Sequence, residues 1–149
     1  MSESNEKWII RRNQLKFSYE ALYRDVAAYF SLSPTAAWIL YTLMDADGEL
    51  AQQDLREKWN FPKQTVNSCI QSLSKEGYLT LSVIPGTRNR KLIHLTQQGR
   101  ELVDRTTRLL AQAEERAAAH LTEEERTQYL ALSAKFYASL ADETRFIRQ

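Results

Sequence analysis

Residues 62–76 read PKQTVNSCIQSLSKE, and the pattern inside this stretch decides how the rest of the chain is organised. On a helix that advances about 100° per residue, Val66, Cys69, Ile70 and Leu73 fall on one stripe. Gln64, Ser68, Gln71 and Lys75 fall on the opposite face, with Thr65 and Asn67 on its flanks. An apolar back with an amide, hydroxyl and amine front suits a helix that enters the major groove. Such groups hydrogen-bond base edges and phosphates. No carboxylate faces the anionic backbone until Glu76 at the helix end.

The neighbours of this helix place it in a motif. Upstream, a short helix is predicted over residues 51–59, with Leu55 and Trp59 at i, i+4. Asn60 can take the left-handed conformation that ends it, Pro62 starts the reading helix, and Gly77 ends that one. Downstream the hydrophobic period changes to two. Residues 78–84 and 91–95 are predicted strands, and Pro85-Gly86 is the turn after the first. Two helices joined by Asn60-Phe61, then a hairpin, make a winged helix-turn-helix. A further helix is expected from Pro34, capped by Ser33, to about residue 44, followed by a polar turn over residues 45–49.

Long helices flank this middle. Residues 8–31 carry an apolar helical rhythm, Thr96 caps a helix expected to run unbroken to about residue 120, and Thr122-Glu123-Glu124-Glu125 is a capping box opening a last helix to about residue 145. These ends hold more apolar side chains than a small winged domain can cover. Trp8, Ile9, Leu15, Leu132, Phe136, Tyr137 and Leu140 are therefore expected to pack against a second copy of the chain. The predicted fold class is mainly α with a small two- or three-stranded β-wing. Residues 33–99 form the winged helix-turn-helix, and residues 1–32 with 100–149 form a helical dimerisation region.

Charge agrees with this division. The net charge is +1, but residues 51–95 hold seven Lys/Arg and three Asp/Glu, leaving the flanks net acidic. A basic centre points to a polyanion. The 149 residues suffice for one cored domain. The lone cysteine, Cys69, permits no internal disulfide. With no signal peptide and no apolar run long enough to span a bilayer, a cytoplasmic location away from membranes is expected.

Three segments together resemble the MarR family of bacterial transcriptional regulators: LSPTAAWILYTL, then LAQQDLREKWNFPKQTVNSCIQSLSKEGYL, then the wing GTRNRKLIHLTQQG. The resemblance covers residues 15–140. It implies a homodimer built on the terminal helices, a recognition helix in the major groove of double-stranded DNA, and a wing arginine in the minor groove. It also implies a repressor released by a small-molecule effector or by oxidation. The chain departs from the family pattern in the wing. Where relatives often have Asp-x-Arg, with the Asp orienting the Arg, this chain has Thr87-Arg88-Asn89. Relatives also often have Arg at the position of Ser68, and Thr or Ser at that of Ala51.

Lys63, Gln64, Thr65, Asn67, Ser68, Gln71, Lys75, Arg88, Arg90 and Lys91 are the expected DNA-binding residues. Asn67 or Gln64 suits an adenine, Lys63 or Lys75 a phosphate, and Arg88 or Arg90 the minor groove. Tyr19, Tyr23, Trp38 and Tyr41 are candidates for an effector pocket, although aromatics at helical spacing also serve as core. Cys69 on the apolar stripe reads as a packed thiol rather than a sensor. His94 and His120 lack partners at metal-ligand spacing, so no metal or cofactor is expected. No phosphate loop, HExxH or GxSxG motif suggests an enzyme. The alternative is a winged-helix module that binds protein instead of DNA.

Overall fold

The computed structural model describes residues 4–149, so the first three residues of the expected 1–32 region lie outside it. The elements run α1 (Asn5–Tyr29), α2 (Pro34–Asp45), β1 (Glu49–Ala51), α3 (Gln52–Trp59), α4 (Lys63–Lys75), β2 (Leu79–Val83), β3 (Lys91–Leu95), α5 (Gln97–Asp104), α6 (Thr107–Ala118) and α7 (Glu123–Glu143), then a 3-10 turn (Arg145–Arg148). They divide into two compact units, one reaching Leu110 and the other Ala111–Gln149.

The first unit holds the winged module. Ser33 Oγ accepts from Ala36 N at 3.1 Å and starts α2 with Pro34 in its first turn. Asn60 ends α3 at φ 53°, and Gly77 follows α4 at φ 88°. The core gathers Ile39, Leu40 and Leu43 of α2, Leu55 of α3, and Val66, Ile70 and Leu73 of α4, closed by Leu79, Ile93, Leu102 and Val103. The antiparallel sheet has order β1-β3-β2. Glu49 pairs with His94 and Leu79 with Leu95, so Ile93 lies buried at its centre.

Strand β1 occupies residues expected at the end of a polar turn and the start of a helix. It becomes a strand because Gly48, at φ 89°, turns the chain alongside β3, where Leu95 N donates to Gly48 O at 2.8 Å. The junction after β3 is tight. Thr96 Oγ1 donates to Gly77 O at 2.6 Å and accepts from Gly99 N at 3.0 Å, capping α5. A Cβ on Gly99 would stand 2.1 Å from Tyr78 O, so only glycine lets α5 start this close to the sheet.

The helix expected to run unbroken from 96 to about 120 is instead two helices, α5 and α6. Thr106 Oγ1 donates to Leu102 O at 2.6 Å, and Thr106 N turns to Val103 O at 3.2 Å. Back-bonding by a threonine competes with the regular ladder, and two consecutive β-branched residues crowd the turn. Thr106 and Thr107 are both buried there.

In the second unit the capping box forms as expected: Glu125 N donates to Thr122 Oγ1 at 3.1 Å, and Thr122 N donates to Glu125 Oε2 at 2.8 Å. Arg126 Nη1 donates to Ala118 O at the end of α6 and to Leu121 O in the turn after it. No residue of α7 is buried.

Candidate nucleic-acid interface

Helix α4 presents the faces its sequence implies. Val66, Ile70 and Leu73 are buried, and Lys63, Gln64, Thr65, Ser68, Gln71 and Lys75 are exposed. Cys69 is half-buried rather than sealed. Its Sγ lies 3.9 Å from Ser33 Oγ at the start of α2, at the edge of the apolar stripe. Asn67 is also half-buried, because Gln52 of α3 reaches across to it: Gln52 Nε2 donates to Asn67 Oδ1 at 2.5 Å. The amine end of the Asn67 carboxamide is left to donate.

The wing extends from β2 and β3. Thr87 N donates to Ile84 O at 3.1 Å with Pro85 and Gly86 between them, and Gly86 takes φ 79°. This is the geometry of a type II turn, which wants Pro second and Gly third. Ile84 N donates to Arg90 O at 2.8 Å and closes the loop. Arg88, Asn89, Arg90 and Lys91 are all exposed.

A groove of about 370 Å³ lies between α3, α4 and the wing. It brings together five of the expected DNA-binding residues: Lys63, Asn67, Gln71, Arg90 and Lys91. Gln64, Thr65, Ser68, Lys75 and Arg88 are outside its lining. Four further polar residues, not selected from the sequence, line it: Gln52, Gln53, Arg56 and Asn89, with Ala51, Ile70 and Leu81 as its apolar lining. The lining thus holds four cations and five carboxamides, with no Asp or Glu. The Arg56 Nε is buried without a hydrogen-bond partner. Arg56 contributes to the basic centre in the sequence, but nothing local places it in the groove. A surface of this kind attracts an anionic backbone and can hydrogen-bond base edges.

The four aromatic candidates also come together. Ring centroids are 4.7 Å apart for Tyr19–Tyr23, 5.1 Å for Tyr23–Trp38 and 5.4 Å for Trp38–Tyr41. Trp59 joins the row, 5.3 Å from Trp38, and donates its Nε1–H to Thr42 Oγ1. The cavity beside Tyr23, Phe30 and Trp38 has a volume of about 10 Å³, about one water molecule. Rings fill this region. The buried Thr107 Oγ1, which has no hydrogen-bond partner, also lines the cavity.

A carboxylate, imidazole and hydroxyl row crosses the sheet. His94 Nδ1 is 3.0 Å from Glu49 Oε2, and His94 Nε2 is 3.1 Å from Ser82 Oγ. The three residues stand on three different strands and line neither the groove nor the aromatic cavity, so the row braces the sheet. Among the described residues, no group of three or more His, Cys, Asp or Glu is arranged to hold a metal, and no single helix is long and apolar enough to cross a membrane.

Comparison with known protein families recognises the stretch from just after α1 into the wing. Residues 30–88 match the MarR family. The family read from the three sequence segments is therefore borne out over this stretch, as is the fold class. Solved MarR-type structures agree over nearly the whole chain. A MarR family regulator from Neisseria meningitidis superposes with a TM-score of 0.74 at 20% identity, covering 99% of this chain and 100% of that one. S. aureus MepR, in a DNA complex, gives 0.68 at 24% identity over 93% and 99%. The PcaV transcriptional regulator from Streptomyces coelicolor, in complex with its natural ligand, gives 0.65 at 21% over 94% and 99%. At these identities the likeness establishes the fold. The MarR-type neighbours are transcriptional regulators, not enzymes. No curated protein matches the chain by sequence.

Proposed function

We propose that this protein is a cytoplasmic transcriptional repressor that binds a pseudo-palindromic operator as a homodimer and is released by a small-molecule effector. The observation that carries the reading is the groove between α3, α4 and the wing, whose charged lining is wholly cationic. In this reading residues 33–99 bind DNA, while residues 1–32 and 100–149 make the dimer. Lys63 and Lys75 hold phosphates. Gln64, Thr65, Asn67, Ser68 and Gln71 meet the major groove, and the wing cations Arg88, Arg90 and Lys91 meet the minor groove or its phosphates. The exposed apolar faces of α1 and α7 support the dimer, with Leu15 73% and Leu132 65% exposed. Effector control is supported by the aromatic row from Tyr19 to Tyr41 and by the ligand complex of PcaV. Tyr19 is the most exposed of the four.

Selection of genomic fragments on the purified protein, followed by titration at several salt concentrations, tests the reading. Enrichment of one inverted-repeat sequence is expected, with log affinity falling linearly against log salt. Lys63→Ala should flatten that slope by about one unit and weaken all duplexes alike. No enrichment, with affinity insensitive to salt, would favour a protein-binding winged module.

A further inference from the structure

Gln53 stands in the first turn of α3, exposed to solvent, yet both ends of its carboxamide are engaged. Its Nε2 donates to Glu57 Oε1 at 3.0 Å, one turn further along the helix. Its Oε1 accepts from Arg90 Nη2 at 2.6 Å, across 37 residues of chain. Carboxylate, carboxamide and guanidinium therefore lie in series. The carboxylate draws on the amide N–H and leaves more negative charge on the oxygen that faces the arginine, so each bond strengthens the other.

The wing itself has no acid between Ile84 and Lys91 to steer an arginine. Among the described residues Arg88 makes no hydrogen bond or ion pair, whereas Arg90 is held across the groove by a neighbouring helix. One guanidinium N–H is committed to Gln53, and the others remain to bind an anion. A long side chain fixed beforehand loses less rotamer freedom when it binds.

We propose that Gln53, backed by Glu57, is the positioning residue for Arg90, supplying from α3 the orienting contact that the wing lacks. Arg90, not Arg88, is then the wing's principal DNA-contacting arginine. The proposal rests on the DNA-binding reading above.

The test uses the full chain and a labelled mixed-sequence duplex of about three helical turns, long enough for two half-sites. Gln53→Ala should weaken binding about fivefold, the scale of one hydrogen bond. In an Arg90→Ala background the same change should have no effect beyond about twofold, and in an Arg88→Ala background it should keep its full effect. Side-chain NMR of the free protein supplies the second readout. Gln53→Ala should raise the mobility of the Arg90 guanidinium and leave that of Arg88 unchanged. Equal losses from Gln53→Ala in wild-type and Arg90→Ala proteins would overturn the proposal, as would unchanged Arg90 mobility. A wild-type protein that binds no duplex would remove the DNA reading, while the NMR comparison would still decide whether Gln53 orders Arg90.

Discussion

Asn67 shows how a single side chain gains its meaning from a neighbour. On the helical wheel it is a flank residue with two hydrogen-bonding ends. In the fold Gln52 donates to its oxygen, taking one of the two lone pairs, and the N–H₂ is left free to donate to a base edge in the proposed complex. Such a donor prefers an acceptor such as purine N7, and the bidentate grip on adenine needs the oxygen as well. Asn67→Ala should therefore relax preference at one base pair per half-site at a cost of about 1–3 kcal/mol, leaving affinity for random DNA nearly intact. Gln52→Ala should blur the same position less severely. Binding measured against single-base operator variants checks both, and equal loss on specific and random duplexes would exclude base reading by Asn67.

At the scale of elements, the joint between β3 and α5 is where the winged module is least forgiving. Gly99 lies against Tyr78 O, and Thr96 ties that turn to Gly77. The atom in the way is backbone, which cannot swing aside as the Leu95 side chain beside it could. Gly99→Ala should destabilise the protein by more than about 1–3 kcal/mol, the ordinary range for overpacking, and thermal unfolding would measure it. If the melting temperature is unchanged, the close approach is misplaced. The elements also show what could be read beforehand. Asn60, Gly77 and the Thr122–Glu125 box work through contacts within three or four residues, so their sequence signals are complete. Strand β1 is only three residues long and exists because β3 passes beside it. The break at Thr106 depends on burial of both threonines. In the same way, the faces of α4 were legible from its own periodicity, whereas Gln52 and Gln53 are tied into the groove by bonds to Asn67 and Arg90, far along the chain. No local pattern marks them.

For the whole molecule, the unsatisfied surface is the main fact. Trp8, Ile9 and Leu15 on α1 are exposed, as are Leu132, Tyr137 and Leu140 on α7. Phe136 is half-buried beside Tyr137, with ring centroids 6.0 Å apart. Apolar surface on this scale marks an association face, and burying each such side chain contributes about 1.5–3 kcal/mol. Sedimentation equilibrium at micromolar concentration should give twice the 17.3 kDa chain mass. Removing residues from 122 onward should yield a monomer and lower operator affinity together. A full-length monomer would refute the dimer.

Helix α7, with every residue at least partly open to solvent, also bears on how long the protein lasts in a cell. A 21-residue helix with no buried side chain has its capping box and its own ladder for support. An unassembled chain will open there first, and proteases act on opened segments. In the proposed dimer the partner covers that segment, and mass action then links protection to abundance. Lifetime becomes a function of concentration. Scarce copies are cleared quickly and plentiful ones persist, so the regulator's level in the cell would respond more than proportionally to its rate of synthesis.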